Sequence, residues 1–106
     1  MNKILQDRRD RHRIPVKGTV TLISGDSSLP ARLEDISFVG LRCRTEPGAL
    51  QALDGPVTAV QLQDLPALQV TPRRIDGDVF AATYDNVKLA RRVTAGFIAQ
   101  FVEGLG

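Results

Sequence analysis

The sequence predicts a mainly β domain that ends in one amphipathic helix. Short stretches alternate apolar and polar residues with period two, turn-forming residues separate these stretches, and one C-terminal segment has helical spacing instead. The chain has 106 residues, the size of a single domain, and its 42% hydrophobic and 25% charged residues are typical of a globular fold.

The first three strands are predicted between residues 14 and 44. Over residues 14–23 the alternation puts three apolar residues on one face: Val16, Val20 and Leu22. A turn leads to a return strand, residues 29–36, whose core face holds Ala31, Leu33 and Asp35. Its other face holds Arg32, Glu34 and Ile36. In the third strand, Val39, Leu41 and Cys43 alternate with Gly40, Arg42 and Arg44.

Three more strands are predicted between residues 57 and 84. Residues 57–63 alternate, but their inward face is ambiguous. Residues 65–75 contain two prolines, which fit the ends of a strand or an edge strand better than a central one. Asp76-Gly77 is a two-residue hairpin signal before the last strand, residues 78–84. The chain therefore has about six strands with short connections.

The last segment, about residues 87–104, is predicted to be an amphipathic helix. Its apolar face follows the i, i+3, i+4, i+7 rule: Ala90, Val93, Thr94, Phe97, Ile98, Phe101, Val102 and Leu105. Asn86 or Asp85 suits its N-terminal cap and Gly104 its end, whereas Gly96 in its middle costs on the order of 1 kcal/mol. We expect this helix to cover an open barrel mouth or a sheet.

The net charge of +2 hides a division between the two ends of the chain. Residues 1–20 hold six basic and two acidic residues, a net charge of +4, and the remaining 86 residues hold eight basic and ten acidic ones, a net charge of −2. Four arginines lie between Arg8 and Arg13. A guanidinium group fits phosphates and the O6/N7 edge of guanine, so these residues predict a basic binding arm, with a functionless charged terminus as the alternative.

Several function classes are disfavoured. With a single cysteine, Cys43, and a single histidine, His12, the chain can form no intramolecular disulfide, no Cys-based zinc cluster and no His-rich metal site, and Cys43 is expected to be a buried thiol. Glu34 and Asp35 are adjacent, and on a regular strand they would point to opposite faces and could not act as a pair. We therefore expect no enzyme. No apolar run has the length of a membrane span or the plan of a signal peptide, so we expect a cytoplasmic protein.

Two motifs in a fixed order resemble the signature of the PilZ domain family. Arg9 and Arg13 are spaced R-x-x-x-R, and residues 35–40 read D-x-S-x-x-G. The resemblance covers essentially the whole chain, because it implies a six-stranded antiparallel β-barrel, here residues 14–106, with a C-terminal helix and a preceding arm, residues 1–13. It also implies a receptor for the bacterial second messenger cyclic di-GMP, with no further cofactor, metal or catalysis.

The resemblance assigns a role to each motif position. Arg9 and Arg13 would clamp phosphates and guanine edges, Asp35 and Ser37 would meet the base, and Gly40 would keep the surface clear. These roles agree with the chemistry of guanine, which offers acceptors at O6 and N7 to arginine and donors at N1 and N2 to a carboxylate.

Three further arginines are candidate ligand contacts. Arg8 directly precedes the first motif arginine. An arginine there resembles the family members that bind an intercalated pair of cyclic di-GMP molecules, so we expect two ligand molecules per chain. Arg42 and Arg44 either contribute to the ligand phosphates or form a solvated strand face. The strand at residues 79–84 departs from the family pattern, because it has alanine where glycine is common.

Residues 6–13 have few apolar residues and a high density of like charge, so we expect them to be mobile without ligand. Our hypothesis is a switch in which an anionic ligand orders this arm over the barrel and creates a surface for a partner protein. Such an adaptor would act in motility, biofilm formation or virulence. One alternative is a basic-armed barrel that binds nucleic acid, which the presence of only five aromatic residues disfavours. Another is a PilZ-like module that binds protein without a ligand.

Overall fold

The structure of the protein, a computed structural model, describes residues 14–105, and the side chains among them as far as residue 100. It contains β1 (Ile14–Ser24), β2 (Ser27–Ile36), β3 (Gly40–Arg44), β4 (Ala59–Leu62), β5 (Leu68–Asp76), β6 (Val79–Tyr84) and α1 (Val87–Leu105). The strands are antiparallel and close into a barrel in the order β1-β2-β3-β6-β5-β4. The prediction of a six-stranded antiparallel barrel with a C-terminal helix is confirmed.

Alternating residues of the strands fill the interior of the barrel. The predicted inward residues of β1 are buried, and the ambiguous β4 turns out to direct Val60 and Leu62 inward. The largest fully buried apolar side chains come from all six strands and the helix: Val20, Leu22, Ile36, Leu41, Cys43, Val60, Leu62, Leu68, Phe80 and Phe97. One apolar core therefore holds the strands in register, because a slip by one residue would expose an inward row.

The prolines of the β5 region follow the prediction in part. Pro72 lies inside β5, not at its end. However, β4 pairs with β5 only at Leu68 and Gln69, so within the described residues the later part of β5 forms its sheet ladder with β6 alone. Because proline cannot donate a backbone hydrogen bond, it is tolerated on this locally open edge.

Helix α1 begins at a side-chain cap and packs onto the barrel. The side-chain oxygen of Asn86 accepts a hydrogen bond of 3.1 Å from the Leu89 amide, whereas Asp85 accepts one of 2.6 Å from the Thr71 hydroxyl. The buried residues of the helix are Ala90, Val93, Thr94 and Phe97. The Phe97 ring lies against Gly18 of β1, where a Cβ would come within 3.1 Å of it, so glycine makes room for the helix.

Two exposed glycines allow two effects on stability to be measured separately: the low helix propensity of glycine, and the strain of a side chain at a positive φ. Neither Gly96 nor Gly25 has a neighbour within 4 Å of an added Cβ, but Gly25 has a φ of +59°. We expect Gly96→Ala to raise the free energy of unfolding by about 0.5–1 kcal/mol, because glycine is less favourable than alanine in a helix. We expect Gly25→Ala to lower it by about 1 kcal/mol, because a side chain is disfavoured in the left-handed region. Denaturant unfolding of both variants measures this, and a loss of stability in Gly96→Ala would show that the exposed position has an additional role.

Candidate functional site

A β-bulge at Glu34 determines which way the motif carboxylate faces. Leu33 pairs with Cys43, but the next pair joins Asp35 to Arg42, so Glu34 is an extra residue in β2 relative to β3. Asp35 therefore shares the outer face of the barrel with Arg42, and Ile36 turns inward.

The bulge corrects three expectations from the sequence. The regular alternation placed Asp35 on the core face with Leu33, but its side chain, although buried, contacts Arg42 on the outer face. The alternation also placed Ile36 on the outer face, but Ile36 is fully buried in the interior. The expectation that Glu34 and Asp35 point to opposite faces is also wrong, because both carboxylates approach the Arg42 guanidinium. An inserted residue shifts the period-two pattern by one position, and all three errors have this one cause.

Arginines of β3 link the carboxylates of the outer face into a chain of ion pairs. Arg42 Nη2 lies 2.7 Å from Oδ2 of Asp35, and its Nε lies 3.6 Å from Oε1 of Glu34. Arg44 Nε donates to Glu34 Oε2 at 3.0 Å, and its Nη1 donates to Asp78 at 3.2 Å. The hydrogen bonds that Arg44 donates to Glu34 and then to Asp78 raise the pKa of Arg44 above its ordinary value. Sequence reasoning missed Glu34 and Asp78 because no local pattern links them to β3.

The loop between β2 and β3 is held together by Ser37. Its hydroxyl accepts hydrogen bonds of 3.2 Å from the amides of Val39 and Gly40, and donates one of 3.3 Å to the Gly40 carbonyl. The Ser37 amide donates to the same carbonyl at 2.9 Å, and the Ser37 side chain is buried. Ser37 thus fixes the turn that follows Asp35, whereas its predicted contact with a base stays a prediction.

Gly40 allows β3 and β6 to approach each other closely. A Cβ at this position would collide with the carbonyl oxygen of Ala82 on β6. The requirement for glycine therefore has a structural cause within the barrel, in addition to the role of clearing the ligand surface that the family resemblance implied.

The start of helix α1 contacts the same loop. The Arg91 guanidinium carbon lies 5.0 Å from the centre of the Phe38 ring, a cation–π geometry. Phe38 is the variable residue after Ser37 in the motif, and 53 positions separate it from Arg91, so no sequence spacing indicates the pair. The contact connects the motif loop directly to the C-terminal helix.

A groove runs along the outer face beside the ion pairs. Its volume is about 590 Å³, and its lining comes from β2, β3, β5 and β6: Glu34, Arg42, Arg44, Arg74, Asp76, Val79 and Ala81. Ala81 pairs with Arg42, so the small side chain of β6 lies next to the arginine that holds Asp35. A second groove of about 570 Å³ lies over β1 and β2 and reaches Arg44 from the other side.

The chain enters the barrel beside the motif. Ile14, where β1 begins, pairs with Ile36, and Pro15 pairs with Asp35. The predicted arm residues Arg8, Arg9 and Arg13 lie outside the described residues. The register nevertheless places the point where the arm joins the barrel next to the motif carboxylate.

The single cysteine, Cys43, is buried in the barrel. Burial raises the pKa of the Cys43 thiol to about 12, with a smaller contribution from Glu34, so Cys43 is no nucleophile at neutral pH. Within residues 14–105 there is no group of three or more His, Cys, Asp or Glu side chains that could hold a metal ion. In the same range, no helix combines the length and apolar character needed to cross a bilayer.

Comparison with known proteins identifies the family of the chain. The sequence model of the family described as "PilZ domain" matches residues 7–96. The chain belongs to the PilZ domain family. Among solved structures it is similar to the PilZ domain of CeSA from a cellulose synthesizing bacterium, with 22% sequence identity, a TM-score of 0.51, and coverage of 84% of this chain and 97% of that chain. A comparison with curated proteins finds no significant match.

Membership of the family indicates a general class of function. PilZ domains are in general non-catalytic cyclic di-GMP receptors, and the structural likeness shows that the fold is shared along most of the chain. The D-x-S-x-x-G segment of this PilZ domain forms the end of β2 and the turn into β3.

The buried thiol gives a direct check of the core. We expect Cys43 in the native protein to react with a thiol reagent such as iodoacetamide at pH 8 far more slowly than in denaturant, because it is inaccessible and protonated there. The kinetics of labelling, followed by mass spectrometry, measure this. A native rate close to the denatured rate would mean that β3 opens readily.

Proposed function

We propose that this PilZ domain binds cyclic di-GMP on the outer face of its barrel, between Asp35 and the arginines of the preceding segment. The observation that carries the proposal is the carboxylate of Asp35, which the bulge at Glu34 directs outward at the place where the chain enters the barrel. A carboxylate so placed is suited to accept hydrogen bonds from N1 and N2 of a guanine.

The other ligand roles follow from charge and position. Arg8, Arg9 and Arg13 supply guanidinium groups for two phosphates and for the O6/N7 edges of guanine. Ser37 and Gly40 act at the base by keeping the loop after Asp35 compact. Arg44 pairs with Glu34 and Asp78, so we assign it no direct contact with the ligand.

We further propose that the receptor is a non-catalytic adaptor of the bacterial cytoplasm. Binding would draw residues 6–13 onto the barrel, and the combined surface would be recognised by a partner protein that controls motility or biofilm formation. The contact between Arg91 and Phe38 supports this proposal, because it joins the motif loop to the helix.

The first test is calorimetric titration of the protein with cyclic di-GMP and with GMP. We expect the parent to bind cyclic di-GMP, at two molecules per chain. Arg9→Ala and Asp35→Ala should each weaken binding by about 1–3 kcal/mol, roughly 5- to 150-fold, because each removes a paired contact to guanine or phosphate.

Two matched controls keep this test specific. Arg92→Ala removes an exposed arginine from the helix, and Asp64→Ala removes an exposed carboxylate from the β4–β5 loop. Both should leave the affinity within about twofold, since surface substitutions away from a site have small effects. A parent protein that fails to bind cyclic di-GMP contradicts the receptor, and saturation at one molecule per chain contradicts only the paired ligand.

The second test follows amide hydrogen exchange across residues 6–14. We expect saturating cyclic di-GMP to slow exchange there, because ligand-bound arginines would hold the segment against β1 and β2. Residues 25–26, in the hairpin turn at the far end of β1, serve as an internal reference whose exchange should not change. Equal exchange of residues 6–14 with and without ligand would overturn the ordering of the arm.

A further inference from the structure

The carboxylate assigned to guanine already has a cationic partner. The side chain of Asp35 is only 7% exposed, and Arg42 Nη2 lies 2.7 Å from its Oδ2. The two groups form a close ion pair, and the carboxylate in it is nearly buried. A ligand that binds Asp35 must therefore approach a carboxylate that is already paired with Arg42.

A guanidinium group and a guanine edge present similar donors to a carboxylate. Arg42 offers N–H groups from a planar fork, and guanine offers N1–H and N2–H from a planar edge. Each arrangement uses the carboxylate best when both oxygens accept in one plane. We infer that Arg42 competes with the guanine of cyclic di-GMP for Asp35, and that this exchange sets the affinity of the site.

The surroundings of Arg42 allow it to leave. Its side chain is 50% exposed, and its other carboxylate contact, to Glu34, is long at 3.6 Å. Arg44, two residues along the same strand and on the same outer face, is held differently, since it contacts Glu34 at 3.0 Å and Asp78 at 3.2 Å. Ligand binding thus releases Arg42 from Asp35 while Arg44 keeps its partners.

Arg44 also provides a matched control for the experiment. Arg42→Gln and Arg44→Gln remove the same charge from neighbouring positions of β3, so both change the attraction for an anionic ligand to a similar extent. Of the two variants, only Arg42→Gln removes a cation that contacts Asp35. We expect it to bind cyclic di-GMP about tenfold more tightly than Arg44→Gln, the order of effect of one charge-assisted hydrogen bond.

Calorimetry on the full chain measures the affinity of the parent and of each variant for cyclic di-GMP. Thermal unfolding verifies that each variant is folded. Arg42→Lys, which restores a cation next to Asp35, should return the affinity towards that of the parent. A purely structural role for Arg42 cannot produce tighter binding, so the direction of the change separates the two explanations.

The inference rests on the proposed function, but different experimental results would contradict each of them. If the parent and both variants show no binding of cyclic di-GMP, the receptor and the competition are both wrong. If the parent binds and Arg42→Gln binds no more tightly than Arg44→Gln, only the competition is overturned. Weaker binding by Arg42→Gln than by Arg44→Gln would instead make Arg42 a direct ligand contact.

Discussion

The extra residue at Glu34 is the constraint on which the candidate site depends. Without it, Asp35 would continue the inward row of β2 and would place a carboxylate in an apolar barrel, where an ionised group is strongly disfavoured. With it, Ile36 fills the interior and Asp35 faces outward beside Arg42. One inserted residue therefore serves both the core and the candidate binding surface, and such irregularities are frequent next to active sites in β proteins.

The bulge also explains why the outer face is a connected network and not a set of separate ion pairs. Because Glu34 and Asp35 both face outward, Arg42 lies between two carboxylates, and Glu34 is shared with Arg44. Exposed single pairs contribute little stability, but the free-energy cost of burying a carboxylate as deeply as Asp35 is offset by a paired cation. The network provides this cation, and it makes the occupancy of Asp35 depend on where Arg42 lies.

Sequence patterns predicted the parts of the fold that depend on near neighbours. The inward row of β1 and the cap by Asn86 were predictable because period-two alternation and helix capping are local properties. The faces of Asp35 and Ile36 were not, because a bulge is defined by pairing with strands that lie elsewhere in the sequence. The motif residues could be located by their resemblance to a family, but the partners of Asp35 and the contact between Phe38 and Arg91 required the three-dimensional arrangement.

The charge of the outer face limits what the barrel alone can contribute to binding. The ion-pair network of this face joins three carboxylates, Glu34, Asp35 and Asp78, to two guanidinium groups, so the network has a net charge of −1. A dianionic ligand gains no long-range attraction from such a surface. If cyclic di-GMP is the ligand, the positive charge of residues 1–20 must provide the attraction, while Asp35 distinguishes guanine from other bases. Long-range attraction and selectivity for guanine would then reside in different segments of one chain, and the junction of Ile14 and Pro15 with β2 brings those segments together.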